Sequence, residues 1–345
     1  MFNVLFVYPF LLSLFLTIFF TPFVIKIAKK FKLVDDPKKH KHPAIIHKKI
    51  IPRAGGLGIL LGIVISALFF LPHTYQLFII LFSCFLVVLV GLLDDRYDLS
   101  PYLRFVSNIL AALFVVLLGV NIPYVTNPLG GILHFGSFQQ YFLPQLFAVI
   151  WIVWVMNMLN WSKGVDGQMP GIAAISAIII GIASLRFPMI EQNNVISAQL
   201  SFITAGAAIG FLFFNFFPAK IFPGYSATIL GFLIGVLSIL SGVKLATAIL
   251  VMGIPTADAL FTVIRRVLSK RSPFWHDKGH LHHLLLSFGF GQRSIAIFYW
   301  IMSLVLGIIS LNLSSKGKLF AILLVLVLVG GIILGLKFLT REEKI

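Results

Sequence analysis

Long runs without a charged residue recur along this chain and limit what it can fold into. They are Met1 to Ile25, Ala54 to Leu93, Phe105 to Ser162, Gly167 to Leu185, Gln192 to Ala219 and Ile221 to Val243. A helix that crosses a bilayer needs about 20 mostly apolar residues. With 59% hydrophobic residues, only 11% charged residues and a mean hydropathy of +1.03, the composition excludes a water-soluble globular domain. The single cysteine, Cys84, also excludes a disulfide framework.

Turn signals within the apolar runs divide the chain into about eleven transmembrane segments. The segments are 3–27, 54–71, 76–93, 105–121, 143–159, 170–187, 198–217, 226–240, 244–264, 294–312 and 318–338. This predicts an all-α integral membrane protein in which residues 1–345 form a single polytopic domain. Its N-terminus lies outside the cell and its C-terminus lies in the cytoplasm.

The positive charges indicate which connections are cytoplasmic. Of the 27 lysines and arginines, only Arg186, Lys244, Lys316 and Lys318 fall on the other side. By the positive-inside rule the cytoplasmic loops are 28–53, 94–104, 160–169, 218–225 and 264–293. All acidic residues except Glu191 lie on or near that same side. Because acidic residues contribute little to topology, we expect the chemistry at this membrane face.

The third segment ends in a carboxylate cluster formed by Asp94, Asp95 and Asp98. If the helix continues by one turn, Asp94 and Asp98 share a face. Mutual repulsion is relieved when a cation neutralises such a cluster, and Mg²⁺ prefers one or two carboxylates together with substrate phosphates. The alternative is a solvated acidic turn that ends the helix.

Asn157 and Asn160 end the fifth segment, three residues apart on one helix face. Two asparagines cost desolvation in lipid unless they line a polar cavity. Asp166 follows between two glycines, which allow a backbone to approach a ligand closely. Capping of the next helix is an alternative role for Asp166.

Two further loops carry basic and imidazole side chains. One loop carries His276, His280 and His283, which share a face if the segment is helical. A basic pocket rich in imidazoles suits a diphosphate. The alternative is a zinc site formed by these histidines and Asp277. The other is the polybasic stretch 35–53, which suits either anionic lipid headgroups or a substrate.

In their order along the chain these motifs resemble the polyprenyl-phosphate N-acetylhexosamine-1-phosphate transferases, glycosyltransferase family 4. The resemblance covers almost the whole chain. It rests on Asp35-Asp36-Pro37, His47, Pro52-Arg53, Gly55-Gly56, Asp94 to Pro101, Asn157, Asn160, Asp166-Gly167, Pro255, Asp258, Arg265-Arg266 and Ser272 to His283. An aspartate at position 98 is closer to the undecaprenyl-phosphate N-acetylglucosamine-1-phosphate branch.

The resemblance implies transfer of a sugar 1-phosphate from a UDP-sugar to undecaprenyl or another polyprenyl phosphate, with release of UMP, in cell-envelope polymer synthesis. It implies Mg²⁺, or Mn²⁺ in its place, with membrane lipids as surroundings, no nucleic acid partner, and a homodimer left open. The implied catalytic residues are Asp94, Asp95 and Asp166, and the implied metal ligands are Asp94, Asp95, Asn160 and Asp166. The implied substrate-binding residues are His47, Arg53, Asn157, Asn160, Arg265, His280, His282 and His283. We add Lys163 to this set on its own chemistry, because a lysine can contact a phosphate.

The chain departs from the family pattern at two positions. Lys163 stands where most relatives have aspartate, and Tyr225 stands where a metal-binding aspartate is usual. A tyrosine cannot replace a carboxylate on Mg²⁺, whereas a lysine can contact a phosphate as a fixed cation. Two other hypotheses therefore stay open: a catalytically inactive scaffold, and a polyprenyl-lipid or nucleotide-sugar transporter, although no internal repeat is evident.

Overall fold

The structure is a computed structural model, and it describes residues 3–37, 47, 49–120, 122, 124–126, 132–134, 139–186, 192–241, 245–275 and 277–342. Within these residues the chain is almost entirely helical. A π-helical turn, Asn3–Val7, leads into the first α-helix. The α-helices are α1 (Tyr8–Lys30), α2 (Gly55–Phe70), α3 (Tyr75–Tyr97), α4 (Pro101–Leu117), α5 (Gln139–Trp161), α6 (Gln168–Ser184), α7 (Gln192–Asn215), α8 (Thr228–Leu240), α9 (Leu245–Val251), α10 (Gly253–Leu268), α11 (Leu281–Ser287), α12 (Gln292–Asn312) and α13 (Ser315–Glu342).

Six of the described helices are long and apolar enough to cross a membrane, and α9 with α10 makes a seventh if the bent pair is one span. Four shorter apolar helices, α2, α4, α6 and α8, coincide with other predicted segments. An all-α membrane protein is therefore confirmed. The count of eleven crossings and the orientation of the termini stay predictions.

The segment predicted as one helix over 244–264 is broken. Its two parts, α9 and α10, meet at 87°. Pro255 lies in the first turn of α10 and has no N–H to donate to Val251, so the hydrogen-bond ladder of α9 cannot continue through it. Helix α10 contacts α5, and the Thr256 hydroxyl donates to Met158 Sδ near the C-terminal end of α5 at 3.1 Å.

The interior of the bundle is built around α6 and α8. Every residue of α8 from Thr228 to Ser238 is buried, as expected for a helix that is apolar on all sides. Helix α8 packs against α5, and α6 packs against α7 and α12, while α1 packs against α7 and α2. Helix α13 exposes most of its apolar surface, which suits contact with lipid.

Two short antiparallel hairpins complete the fold. Strand β1 (Val34–Asp35) pairs with β2 (Ile51–Pro52), and β3 (Tyr124–Thr126) pairs with β4 (Ile132–His134). Directly after β2, Arg53 forms a bridge with Phe222. This bridge holds the first loop beside the connection between α7 and α8, where the predicted site residues lie.

Candidate active site

Two neighbouring cavities lie where α3, α5 and α10 end. The first, which we call the loop cavity, has a volume of about 460 Å³ and is lined by Asp35, His47, Arg53, Arg104, Lys163, Asp166 and His283 among others. The second, the histidine cavity, has a volume of about 280 Å³ and is lined by Arg53, Asp94, Arg104, Asn157, Asn160, Lys163, His280, His282 and His283 among others. Arg53, Arg104, Lys163 and His283 line both. Most of the predicted site residues therefore gather in one region.

Asp95 is buried and anchors the connection between α7 and α8. One carboxylate oxygen accepts a hydrogen bond from the backbone N–H of Tyr225 at 2.7 Å, and the other accepts one from the Ser226 hydroxyl at 2.9 Å. Arg53 Nε lies 3.6 Å from the first oxygen. Gly224 has φ +65°, and a Cβ there would lie 2.2 Å from Asp95 Oδ2. Only glycine allows the loop to approach this carboxylate so closely.

Asp94 holds a different partner, Arg104 on α4. Its Oδ1 accepts hydrogen bonds from Arg104 Nε at 2.5 Å and from the backbone N–H of Leu99 at 3.1 Å. The same guanidinium donates to Asp98 at 2.6 Å, so Arg104 neutralises two of the three clustered carboxylates. Asp94 Oδ2 is buried without a hydrogen-bond partner among the described residues. Arg104 was not among the predicted site residues.

Lys163 and Tyr225, the two departures from the family pattern, are in contact. Lys163 Nζ donates to the carbonyl oxygen of Gly224 at 2.7 Å and lies 5.7 Å from the centre of the Tyr225 ring. Burial lowers the pKa of Lys163 to about 7, although the nearby Asp95 opposes this shift. The Arg104 guanidinium also lies near this ring, 5.5 Å from its centre. The tyrosine thus contacts two cations.

Asn157 and Asn160 occupy the end of α5 as predicted, but they differ in their hydrogen bonds. Asn157 Nδ2 donates to the carbonyl of Val153 within its own helix at 2.8 Å. Asn160 Oδ1 is buried without a hydrogen-bond partner in the described part of the chain. An unpartnered amide oxygen that lines a cavity is available to a ligand.

Asp166 is fixed at the start of α6 and faces the loop cavity. Its Oδ2 accepts a hydrogen bond from the backbone N–H of Ala219 at 2.9 Å. Burial raises the pKa of Asp166, and this hydrogen bond partly opposes the shift. The adjacent Gly167 N–H donates to Asn215 Oδ1 at 3.0 Å. Asn215, which the sequence analysis missed, is buried at the end of α7 and also lines the loop cavity.

The histidines lie before and within α11. His280 precedes the helix in extended backbone, so the predicted common helical face with His283 does not form. Its Nδ1 lies 2.9 Å from Asp258 Oδ2 on α10, and Asp258 Oδ1 accepts the backbone N–H of Leu281 at 2.9 Å. Asp258 therefore fixes both the ring and the start of α11. It belongs to a motif noted in the sequence but was not predicted as a site residue.

The imidazoles of His282 and His283 are neutral at ordinary pH. Burial and the neighbouring histidines lower the pKa of His282 well below its usual value, and they lower that of His283 to about 4. His282 stacks on His280 with ring centres 5.4 Å apart. A Cβ at Gly164 would lie 1.8 Å from His282 Nε2, so this glycine makes room for the ring.

Arg265 was predicted to bind substrate, but its guanidinium is already paired. It donates to both oxygens of Asp277 at 2.9 Å, and Arg266 Nε donates to the same carboxylate at 3.3 Å. Burial would raise the pKa of Asp277, but the Gly279 N–H and these two arginines outweigh that effect and lower it. Asp277 is thus occupied rather than free for zinc, and His276 lies outside the described residues.

His47 and Arg53 bring the first loop to the site. His47 Nε2 lies 3.6 Å from Asp35 Oδ2, and its ring packs edge-on against Phe222 at 5.0 Å. Both His47 and Arg53 line the loop cavity, as a substrate role requires. The polybasic residues 38–46 fall outside the described residues.

The predicted magnesium ligands do not form one ligand set. Asp94 and Asn160 line the histidine cavity, whereas Asp166 lines only the loop cavity. Both oxygens of Asp95 are occupied by hydrogen bonds. In the described ranges, no three His, Cys, Asp or Glu side chains are grouped so as to hold a metal ion. The residues present therefore do not fit the four-ligand site implied by the resemblance, and the need for Mg²⁺ stays a prediction.

A third concave surface, which we call the apolar groove, runs along α4, α5 and α10. It has a volume of about 760 Å³ and is lined by apolar side chains that include Phe105, Ile109, Leu113, Leu146, Val149, Ile150, Val153 and Val263. Asn157, Trp161 and Phe274 line both this groove and the histidine cavity. The groove therefore joins a lipid-exposed surface to a basic polar site.

Comparisons with known proteins point to the same family as the sequence motifs. Residues 77–242 match the family model described as glycosyl transferase family 4. The chain is 30% identical to a probable undecaprenyl-phosphate N-acetylglucosaminyl 1-phosphate transferase of Bacillus subtilis. The alignment spans 336 residues and covers 94% of this chain and 89% of the relative. A decaprenyl-phosphate N-acetylglucosaminephosphotransferase of Mycolicibacterium smegmatis is 28% identical over 361 residues, 94% of this chain and 87% of the relative. The undecaprenyl-phosphate alpha-N-acetylglucosaminyl 1-phosphate transferase of Escherichia coli K12 is 30% identical over 308 residues, 84% and 79% respectively.

Proposed function

The chain belongs to glycosyl transferase family 4, and from this membership we propose that it transfers N-acetylhexosamine 1-phosphate from a UDP-sugar to a polyprenyl phosphate. The lipid-linked product serves cell-envelope polymers such as peptidoglycan, lipopolysaccharide or teichoic acid. The names of the relatives favour N-acetylglucosamine as the sugar and an undecaprenyl or decaprenyl chain as the lipid. We place the reaction at the cytoplasmic membrane face, following the charge distribution.

The apolar groove is the observation that carries this proposal. A polyprenyl phosphate is a long hydrocarbon with an anion at one end. A groove walled by α4, α5 and α10 accepts the hydrocarbon, and its junction with the histidine cavity at Asn157, Trp161 and Phe274 leads the anion to Arg104 and Lys163. Burial of apolar surface binds the chain, and charge-assisted hydrogen bonds fix the phosphate.

The UDP-sugar is assigned to the loop cavity. Its volume of about 460 Å³ lies in the range of small-molecule sites. Arg53, Arg104 and Lys163 line both polar cavities, so a donor diphosphate and an acceptor phosphate meet at shared cations. Phosphoryl transfer depends mainly on such positioning and charge neutralisation.

The transfer step follows from that meeting. An oxygen of the lipid phosphate forms a bond to the phosphorus that carries the sugar. The bond from that phosphorus to the bridging oxygen breaks, and its electron pair leaves with UMP. In this arrangement Asp94 positions Arg104, and Asp95 positions the loop that carries Tyr225. His283, which lies on α11, contacts the phosphates.

One experiment tests the proposal: purified protein, undecaprenyl phosphate and a panel of UDP-sugars, with detection of released UMP. We expect UDP-N-acetylglucosamine to support release. Ile109→Trp, which places a large ring in the groove, should raise KM for the lipid by about tenfold and leave KM for the UDP-sugar unchanged. Leu110→Trp is the matched control, because Leu110 is exposed on the same helix and does not line the groove.

Release from none of the UDP-sugars by folded protein would contradict the proposal. Equal effects of the two tryptophans on the lipid KM would contradict the place of the lipid.

A further inference from the structure

The charged groups around Lys163 balance one another. Arg104 pairs with Asp94 and Asp98, and Arg53 approaches Asp95. Lys163 lies within electrostatic reach of Asp95 and Asp94, and when protonated, below its pKa of about 7, it adds a third cation to the group. The acidic cluster is therefore formally neutralised by side chains of the protein itself, without a divalent ion.

The oxygens that a metal would need are largely in use. Asp95 accepts hydrogen bonds at both oxygens, and Asp166 accepts one from Ala219. Tyr225, at the position where the resemblance implies a carboxylate, offers instead a ring beside the Lys163 ammonium. An aspartate at 225 could accept hydrogen bonds from the Lys163 ammonium, whereas the tyrosine ring leaves its N–H groups without a carboxylate acceptor.

Lys163 is held in place but still has donors to offer. The Gly224 carbonyl takes one of the three N–H groups of the ammonium, and it is the one hydrogen-bond acceptor of Lys163 within the described residues. The remaining two N–H groups are free for a phosphate oxygen. Because Lys163 lines both polar cavities, such a phosphate can approach from either one.

We propose that the Lys163 ammonium, fixed by the Gly224 carbonyl and the Tyr225 ring, supplies the positive charge that a divalent cation would otherwise supply, so that a diphosphate binds without a metal ion. This inference rests on the proposed function for the identity of its ligand, a nucleoside diphosphate. It competes directly with the sequence-based prediction of Mg²⁺.

The test uses the full chain in detergent, with UDP as the probe, at pH 6, where Lys163 with a pKa of about 7 is mostly protonated. UDP binding is measured by calorimetry in excess EDTA and in Mg²⁺, and Mn²⁺ binding is measured separately by electron paramagnetic resonance. We expect the two UDP dissociation constants to agree within about twofold. We also expect the free Mn²⁺ signal to be unchanged by stoichiometric protein, with or without UDP.

Lys163→Met provides the second measurement, because methionine keeps much of the apolar stem and removes the charge. UDP affinity should fall about tenfold or more, the effect of losing a charge-assisted hydrogen bond. Lys220→Met is the matched control: Lys220 lies in the connection between α7 and α8, is exposed and does not line either polar cavity. Its UDP affinity should equal that of the natural protein.

The inference is overturned if UDP binds only with Mg²⁺, if one Mn²⁺ binds per chain, or if folded Lys163→Met retains full affinity. The EDTA comparison needs no variant, so a misfolded Lys163→Met would not rescue the inference from a negative result. Mg²⁺-dependent UMP release would sink the inference and leave the proposed function standing. UDP binding that resists EDTA and depends on Lys163, without UMP release from any UDP-sugar, would support the inference and contradict the proposed function.

Discussion

At the residue scale, Asp94 and Asp95 are adjacent in the chain but make different contacts. Asp95 accepts hydrogen bonds from the backbone of Tyr225 and from Ser226, and it thereby holds a loop. Asp94 orients the side chain of Arg104 and keeps one oxygen unpartnered. The sequence analysis treats the two as equivalent catalytic carboxylates, because sequence does not show which backbone N–H groups approach each one.

We predict that Asp94→Asn and Asp95→Asn separate in a thermal melt. In Asp95→Asn an amide replaces a carboxylate that accepts hydrogen bonds from the backbone N–H groups of Tyr225 and Ser226, so the unfolding free energy should fall by about 2 kcal/mol. Asp94→Asn keeps one acceptor for Arg104, and its melting temperature should stay close to the natural value. UMP release should fall by about 10²-fold in both variants.

Ser226→Ala is the control for the loop, since it removes the hydroxyl's hydrogen bonds with Asp95, Gly56 and Pro223 and leaves the Asp95 carboxylate in place. Identical melting temperatures for Asp95→Asn and the natural protein would show that Asp95 does not hold the loop.

Much of the site could be predicted from residue types alone, because carboxylates, asparagines and histidines near helix ends in a membrane protein are costly unless they serve a ligand. Arg104, Asn215 and Asp258 escaped that reasoning. Arg104 resembles an ordinary topology-setting cation, and Asn215 lies at the end of an apolar helix. Arg104 pairs with Asp94, and Asn215 pairs with Gly167. These partners are distant in sequence, and only the fold brings them together.

At the element scale, the sequence predicts the apolar segments well and their breaks poorly. Hydropathy averages over a window, so α9 and α10 read as one helix although Pro255 ends the hydrogen-bond ladder between them. The break matters for function, because it places α10 along the apolar groove and carries Asp258 to His280. Short helices such as α11 give even less signal, since their stability comes from packing.

Helix α11 should make stability depend on pH. His283 has a pKa of about 4 in the folded protein and 6.5 as its ordinary value, so between these values the unfolded chain holds more protons. The stabilising contribution is present above about pH 6.5 and is lost as pH falls toward 4. We predict that the melting temperature falls from pH 7 to pH 5, and that this fall is smaller in His283→Gln.

His73→Gln is the matched control for this prediction. His73 is exposed in the connection between α2 and α3, away from the histidine cluster, so its variant should keep the full pH-dependent fall. An equal fall in His283→Gln would contradict a neutral, buried His283.

At the scale of the whole molecule, the cavities require the ends of α3, α5 and α10 to meet on one membrane face, and the charge distribution predicts that this face is cytoplasmic. Cys84 is fully buried, so the natural chain should react little with maleimides. This allows single cysteines to be added without a background signal. We predict that Lys316→Cys, in the first turn of α13, reacts with a membrane-impermeant maleimide in intact bacteria. We also predict that Lys220→Cys reacts only after the membrane is permeabilised. Reaction at Lys220→Cys in intact cells would place the polar cavities outside, where the cell keeps no UDP-sugar, and would contradict the orientation on which the proposed reaction depends.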